Sequence, residues 1–254
     1  MTLNLSNFNN QNIWIIGSSS GIGRALAYEL AAQGANLILS ARRQEQLQDL
    51  QLDLPGDKHL VAPMDVANLA QVKSAIKFIG QNIQQIDRVI FMAAIYQPGK
   101  VANIDLEQTA SIVNVNLTGA IYCAQSALPV LANGGQIALC ASCAGFVGLP
   151  GGQPYSATKA ALINFAESLA VELLGRCDIK VINPGFVATQ LTAKNNFAMP
   201  QIMSTEKAAS HIAKGLLSRK FAINFPWLLT SVLRLLNLLP NKIKLRLVKQ
   251  LDRD

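Results

Sequence analysis

The chain is short of cysteine, histidine, charge and long hydrophobic runs, and each shortage excludes a class of protein. Four cysteines and two histidines among 254 residues exclude a disulfide framework and leave too few ligand pairs for a zinc site, so we expect no metal. Charged residues make up 15% and hydrophobic residues 50% of the chain, which excludes a disordered protein. The first twelve residues contain no basic side chain and no apolar stretch of signal length. We therefore expect a cytoplasmic protein.

Acidic residues are also scarcer than basic ones, with 15 against 22 and a formal charge of +7. The excess is concentrated in residues 226–254, which hold six basic and two acidic side chains. Elsewhere no stripe of Lys or Arg alternates with aromatic residues. We therefore expect no nucleic-acid partner.

Short apolar runs alternate with stretches of helical periodicity along most of the chain. The runs that predict strands are 12–16, 36–40, 59–62, 88–92, 136–141, 179–183 and 220–224. This alternation predicts an α/β fold: a single doubly wound Rossmann domain over residues 1–225, with about seven parallel strands and helices on both faces. In such sheets ligands bind beyond the carboxyl ends of the strands.

A glycine loop, GSSSGIG, follows the first predicted strand. Gly17, Gly21 and Gly23 permit a tight turn and a close approach of backbone to a pyrophosphate, and the helix that follows offers its N-terminus to that group. An ordinary tight turn is the alternative.

The end of the second predicted strand indicates which cofactor is bound. Ser40 is the last residue of that strand, Arg42 and Arg43 follow it, and no acidic residue stands among them. This arrangement favours the 2′-phosphate of NADP over the ribose hydroxyl of NAD.

Three further segments suggest chemistry. Asp65 and Val66 follow the third strand, where an adenine ring would lie, although Asp65 could equally be a helix cap. Tyr155 and Lys159 are four residues apart and share a helix face, so the ammonium is expected to lower the pKa of the phenol. Ser142 lies at a strand end, inside a C-x-x-C sequence whose thiols we interpret as bystanders rather than a redox pair.

Taken together, these segments resemble the short-chain dehydrogenase/reductase superfamily. The matching stretches are GSSSGIG, MDV (64–66), VNLTG (115–119), ASCAG (141–145), YSATK (155–159) and NPGFVAT (183–189), in order across residues 12–225. The resemblance implies that Tyr155 is the general acid, Lys159 binds the nicotinamide ribose, Ser142 polarises the carbonyl and Asn116 holds a relay water. It also implies a homo-oligomer and an NADP(H) site formed by Gly17, Ser19, Ser20, Gly21, Ile22, Gly23, Ser40, Arg42, Arg43, Asp65, Val66, Ala93, Tyr155, Lys159, Pro184, Gly185, Val187 and Thr189.

The sequence departs from the family pattern near the adenosine ribose. Ile16 stands where the family has Thr, and residues 91–94 read Phe-Met-Ala-Ala in place of Asn-Asn-Ala-Gly. These changes remove polar groups that brace the sheet and put a methyl where glycine is favoured. We expect altered geometry there and an intact catalytic set.

The C-terminal residues 226–254 form a Leu-rich segment and then a basic one, separated by Pro240. Two amphipathic helices of this kind could pack over the substrate cleft, form an oligomer interface or contact a membrane surface, so a peripheral membrane location is also open. The first segment is too short to span a bilayer.

The sequence thus predicts an NADP-dependent oxidoreductase that interconverts a carbonyl and a secondary alcohol on a small lipophilic substrate. Residues 193–204, in the position of the family's substrate lid, include Met199, Pro200 and Met203, so we expect an apolar lid that fits that substrate. A non-enzymatic NADP-binding sensor or scaffold is one alternative, and a membrane-surface protein acting through its C-terminal helices is another.

Overall fold

Seven strands form one parallel sheet of order β3-β2-β1-β4-β5-β6-β7 in a computed structural model that describes residues 6–250. The strands are β1 (Asn12–Ile16), β2 (Asn36–Ser40), β3 (Leu60–Val61), β4 (Ile86–Phe91), β5 (Leu131–Cys140), β6 (Asp178–Pro184) and β7 (Ala222–Phe225). This confirms the predicted doubly wound α/β fold. Strand order reverses between β1 and β4, and that is where such a sheet binds ligands.

Helices cover both faces of the sheet. The α-helices of the described residues are α1 (Gly21–Ala31), α2 (Gln44–Asp53), α3 (Leu69–Asn82), α4 (Leu106–Val113), α5 (Gly119–Ala127), α6 (Tyr155–Glu172), α7 (Thr205–Leu216), α8 (Trp227–Leu238) and α9 (Asn241–Lys249). A π-helical turn, Asn114–Thr118, joins α4 to α5, and a 3-10 turn, Cys143–Gly145, follows β5. In residues 6–250 no helix has both the length and the apolar composition to cross a membrane.

The core has two layers because successive strand residues point to opposite faces of the sheet. On β1, Ile13 and Ile15 join a layer with α1, α2 and α7, whereas Trp14 and Ile16 join one with α3, α5 and α6. All four side chains are fully buried, and each such burial stabilises the fold by about 1.5–3 kcal/mol. These layers fix the strand ends that form the site.

The C-terminal extension is helical, as expected. β7 ends at Phe225, and α8 begins at Trp227 and packs against β7 and the turn after β5. That residues 1–225 form a catalytic domain by themselves stays a prediction.

Candidate active site

A cavity of about 370 Å³ opens at the carboxyl ends of the strands, beside the reversal of strand order. It brings together nearly all of the residues predicted from the sequence. The predicted residues that line it are Gly17, Ser19, Ser20, Gly21, Ile22, Gly23, Arg42, Arg43, Asp65, Val66, Ala93, Ser142, Tyr155, Lys159, Pro184, Gly185, Val187 and Thr189. Ser40 and Asn116 do not line it.

The glycine loop has the shape that a pyrophosphate requires. Gly17 has φ +94°, and a Cβ atom added to it would lie 2.6 Å from the backbone nitrogen of Ala93. Gly21 also adopts a positive φ, of +56°. Ser20 precedes α1 and makes no side-chain capping bond, so it leaves the first-turn amides uncapped at the helix end that lines the cavity. This cradle fits the phosphates of a dinucleotide.

Residues 91–94 depart from the family pattern without distorting this edge of the sheet. The Met92 amide donates to the Ile16 carbonyl at 2.7 Å, which continues the pairing of β4 with β1. Ala94 has no left-handed backbone, so its methyl group is accommodated. The altered geometry expected near the adenosine ribose stays a prediction.

Two exposed arginines border the cavity where β2 ends. Arg43 precedes α2 and donates from Nη2 to Ser19 Oγ at 3.3 Å, which directs its guanidinium toward the glycine loop. Arg42 lines the same wall. Asp65 lines the cavity on the other side, and its Oδ1 accepts from the Ala67 amide at 3.0 Å. Asp65 thus braces a local turn, while Asn68 is the residue that caps α3.

Ser40 is a correction to the sequence-based prediction. Its hydroxyl is fully buried, accepts a hydrogen bond from Trp14 Nε1 at 2.8 Å and donates one to the Ala62 carbonyl at 2.6 Å. The side chain therefore ties β1 to the end of β3 inside the protein and is turned away from the cavity. It is not placed to contact a cofactor phosphate.

Tyr155 and Lys159 lie on one face of α6, as their spacing predicts. The Lys159 ammonium is 5.4 Å from the centroid of the Tyr155 ring. Lys159 is 1% exposed, and Nζ donates to the Cys140 carbonyl at 2.7 Å. Gly145 lets the turn after β5 approach this helix, because a Cβ atom there would lie 2.7 Å from the Lys159 carbonyl carbon.

The expected lowering of the Tyr155 pKa by Lys159 is wrong in this structure. Desolvation raises the pKa of Tyr155 well above its usual 10.0, and a hydrogen bond with Ser142 only partly opposes the rise. Desolvation also lowers the pKa of Lys159. Tyr155 is therefore protonated at neutral pH, the state that a general acid requires.

Ser142 lies at the head of the turn after β5 with its hydroxyl toward the cavity. Its Oγ accepts from the Ala144 amide at 3.1 Å and is 3.4 Å from the Pro184 carbonyl.

The two cysteines beside Ser142 are buried. Burial raises the pKa of the Cys140 thiol, and raises that of Cys143 to about 11, so neither is a reactive thiolate at neutral pH. Within residues 6–250 no three His, Cys, Asp or Glu side chains converge to hold a metal ion.

Asn116 lies behind the cavity wall, in the π-helical turn. Its amide is fully buried and bonds both main-chain groups of Ile95: Nδ2 donates to the carbonyl at 2.9 Å, and Oδ1 accepts from the N–H at 2.8 Å. Nδ2 also lies 3.3 Å from Thr158 Oγ1 on α6. Asn116 thus joins the loop after β4 to the helix that carries Tyr155, and a role in holding a relay water stays a prediction.

The sequence analysis missed a group of side chains over the cavity mouth. The Tyr96 ring packs edge-on against Tyr155, with centroids 4.9 Å apart, and its hydroxyl donates to Asn195 Oδ1 at 2.9 Å. Lys194 Nζ donates to the Tyr96 carbonyl at 2.8 Å and lies 3.2 Å from Gln97 Oε1. Tyr96 lies five residues beyond the end of β4. Its closeness to a strand end was the sequence signal that could have identified it as a site residue.

Comparison with known proteins agrees with this geometry. The family described as short chain dehydrogenase matches residues 11–199. The chain belongs to the short-chain dehydrogenase family. An uncharacterised oxidoreductase of Myxococcus xanthus (strain DK1622) is 34% identical over 234 residues, which cover 90% of this chain and 92% of the relative. An uncharacterised oxidoreductase of Staphylococcus aureus (strain USA300) is 36% identical over 186 residues, 72% of this chain and 80% of the relative.

Solved short-chain dehydrogenases share the fold. A short-chain dehydrogenase/reductase from Brucella melitensis, titled glucose/ribitol dehydrogenase, superposes with a TM-score of 0.77 at 25% identity over 85% of this chain and 91% of that one. One from Burkholderia cenocepacia J2315, in complex with NADP, superposes with a TM-score of 0.76 at 24% identity over 85% and 95%. This chain is thus an oxidoreductase of the short-chain dehydrogenase type.

The site can assist hydride transfer through three of its side chains. A bound nicotinamide cofactor supplies the hydride in this family, and the glycine loop and strand ends of the cavity fit its dinucleotide. Tyr155 and Ser142 present two hydroxyl donors to the cavity, where a carbonyl oxygen would accept both. Lys159 places a cation next to the phenol. The site can therefore protonate a carbonyl oxygen or, in reverse, take the proton of an alcohol.

Proposed function

We propose that the protein is an NADP(H)-dependent reductase or dehydrogenase that interconverts a carbonyl group and a secondary alcohol on a small lipophilic substrate. The observation that carries the proposal is the pair of exposed arginines, Arg42 and Arg43, on the cavity wall where β2 ends. No acidic residue stands beside them between Ser40 and Gln44.

The cofactor preference follows from charge at this wall. A carboxylate at the end of β2 would accept hydrogen bonds from the ribose hydroxyls of NAD and repel the 2′-phosphate of NADP. Guanidinium groups reverse that preference, because they bind a phosphate with charge-assisted and often paired hydrogen bonds. The contact between Arg43 and Ser19 brings one guanidinium to the glycine loop, which supports a phosphate site there.

The reaction follows from the protonation state of Tyr155. In reduction, Tyr155 would give its phenolic proton to the carbonyl oxygen, while Ser142 donates a hydrogen bond to the same oxygen. The neighbouring Lys159 ammonium would stabilise the phenolate that remains. In oxidation, the same phenol would have to lose its proton first and then accept the proton of the alcohol.

The substrate class follows from the walls of the cavity mouth. Tyr96 and Leu191 line the cavity, and Phe186 packs edge-on against Phe197 of the segment 193–204, with ring centroids 5.9 Å apart. Phe197 is 45% exposed. Tyr96, whose ring packs against Tyr155, and Leu191 on the cavity wall favour an apolar ketone or alcohol.

Fluorescence titration with NADPH and NADH tests the cofactor preference. We expect tighter binding of NADPH, and a loss of that preference in Arg42→Ala and Arg43→Ala. Arg219→Ala, on an exposed arginine outside the cavity, is the matched control and should behave like the wild type. Equal binding of both nucleotides by the wild type would contradict the proposed phosphate site.

Turnover separates an enzyme from a sensor. A panel of lipophilic ketones with NADPH should give activity that Tyr155→Phe abolishes while nucleotide binding persists. Tight NADPH binding with no turnover across the panel, in either direction, would support a non-enzymatic sensor or scaffold instead. A homo-oligomer is part of the same proposal, and sedimentation equilibrium of the full chain measures it.

A further inference from the structure

The last two helices turn a wide apolar surface toward solvent. We call it the C-terminal face. Its large apolar side chains are each 40–80% exposed; they are Trp227, Leu228, Val232, Leu235, Leu238, Ile243 and Leu247. An exposed patch of this extent usually marks an interaction site.

Helix α8 is apolar on two opposite sides. Its inner side packs on the protein through Thr230 and Leu233, which are 2% and 7% exposed. Its outer side carries Leu228, Val232 and Leu235, whose spacing of four and three residues puts them in one row. A helix with apolar side chains on two opposite sides normally packs against a partner on each of them. Among residues 6–250 only the inner partner is present.

Helix α9 supplies positive charge beside this apolar row. Lys242, Arg246 and Lys249 follow a spacing of four and three residues, so they share one side of the helix. Lys244 donates to Asn237 Oδ1 at 3.2 Å and links α9 to α8. Residues 226–250 contain no Asp or Glu, so no acidic side chain of this segment neutralises these cations.

From these observations we infer that the C-terminal face binds an anionic membrane surface. Leucine and tryptophan side chains at the headgroup boundary, with lysine and arginine beside them, are the composition of helices that lie in that interface. Anionic lipids complement the cations, which attract the protein within a Debye length of the surface. The inference does not depend on the proposed reaction.

A second copy of the chain fits the C-terminal face less well. A two-fold interface brings the same patch of both subunits together. The cations of α9 would then face their own copies at an interface whose centre normally lacks charge. A lipid surface of opposite charge has no such penalty.

Helix α8, whose outer side carries part of the C-terminal face, contacts the candidate active site through other side chains. A Cβ atom added to Gly185, which lines the cavity, would lie 2.9 Å from Leu229 Cδ2 of α8. Arg234 of α8 stacks on Phe146, with its guanidinium carbon 5.1 Å from the ring centroid, just beyond the turn that follows Ser142. If the proposed reaction holds, a lipophilic substrate would leave the bilayer next to the cavity.

Tryptophan fluorescence of the full chain provides a direct test. The chain has two tryptophans: Trp14 is fully buried in the core, whereas Trp227 is 74% exposed on the C-terminal face. Vesicles of phosphatidylcholine with phosphatidylglycerol should shift the emission to shorter wavelength, and Trp227→Phe should remove the shift. Vesicles of phosphatidylcholine alone, or high salt, should give much weaker binding.

Vesicle co-sedimentation of matched variants completes the test. Leu228→Ser/Val232→Ser/Leu235→Ser should abolish binding, whereas Val171→Ser/Leu174→Ser, at positions exposed elsewhere, should bind like the wild type. Lys242→Gln/Lys249→Gln should bind anionic vesicles about fivefold more weakly per cation removed, and Lys73→Gln/Lys77→Gln on α3 should not.

Two results would overturn the inference. One is wild-type protein that stays in the supernatant with anionic vesicles. The other is binding by the triple serine variant that equals that of the wild type. If wild-type protein ignores vesicles but the triple variant changes a dimer to a monomer, the C-terminal face is an interface between copies and the membrane inference is wrong.

Discussion

Replacing Ser40 with alanine should destabilise the protein without changing its nucleotide preference. The Ser40 hydroxyl accepts the Trp14 indole N–H at 2.8 Å and donates to the Ala62 carbonyl at 2.6 Å, and both Ser40 and Trp14 are fully buried. The alanine variant leaves a buried donor and a carbonyl lone pair without these partners, in a place that water does not reach. A polar atom in that position cannot recover its hydration.

The expected loss follows from these two bonds. A buried donor left without a partner costs about 1–3 kcal/mol, and the neutral bond to the Ala62 carbonyl contributes at the lower end of that range. The variant removes a single heavy atom, so the cavity adds little. We expect the free energy of unfolding to fall by about 2 kcal/mol, and the melting temperature by about 4–8 °C for a chain of this length.

Urea unfolding and nucleotide titration of the same variants check both halves of this expectation. Ser74→Ala, at an exposed position on α3, is the matched stability control and should be neutral or slightly stabilising. Arg43→Ala should give the opposite pattern: weaker NADPH binding with unchanged stability. The reasoning is refuted if Ser40→Ala unfolds like the wild type and loses its preference for NADPH.

Three further predictions concern the neighbourhood of Tyr155. Gly145→Ala would put a Cβ 2.7 Å from the backbone of α6 and should lower turnover at least tenfold, whereas Gly148→Ala, with nothing within 4 Å, should have no effect in the same rate assay. Because the pKa of Tyr155 is raised, ketone reduction should be nearly constant from about pH 6 to 9 while alcohol oxidation rises with pH; a falling oxidation rate would contradict this. Tyr96→Phe loses the 2.9 Å bond to Asn195 and should raise KM several-fold with kcat unchanged, whereas equal losses in both would indicate a role in the chemical step.

The fold was predictable because its signals are local. Strands of a parallel sheet are buried on both faces, so they read as apolar runs bounded by turn residues, and all seven appeared in this way. The errors lie at strand ends. β5 begins at Leu131, five residues before the predicted start at residue 136, because Leu131 pairs with Ile86 of β4. β3 keeps only two residues at the sheet edge, where pairing is one-sided.

The location of the candidate site was predictable for residues whose position relative to a strand end places them at the cavity. The glycine loop and the strand ends must converge at one edge of a parallel sheet, and the cavity lies there. Ser40 and Tyr155 behaved differently from the prediction because their properties depend on partners that are distant in sequence. Ser40 meets Trp14 from the neighbouring strand, and the pKa of Tyr155 depends on burial, which no local pattern reports.

The C-x-x-C sequence shows that the type of a side chain does not reveal the role of its main chain. Neither thiol contributes a reactive group, yet Cys140 is essential to the geometry through its main chain, since its carbonyl accepts the Lys159 ammonium. Any side chain that fits the buried end of β5 would offer the same carbonyl, so the position constrains size rather than chemistry. Asn116 differs, because its side-chain amide itself bonds to both backbone groups of Ile95. The side chains proposed for the reaction could be read from the sequence, whereas the backbone contacts that hold them required the fold.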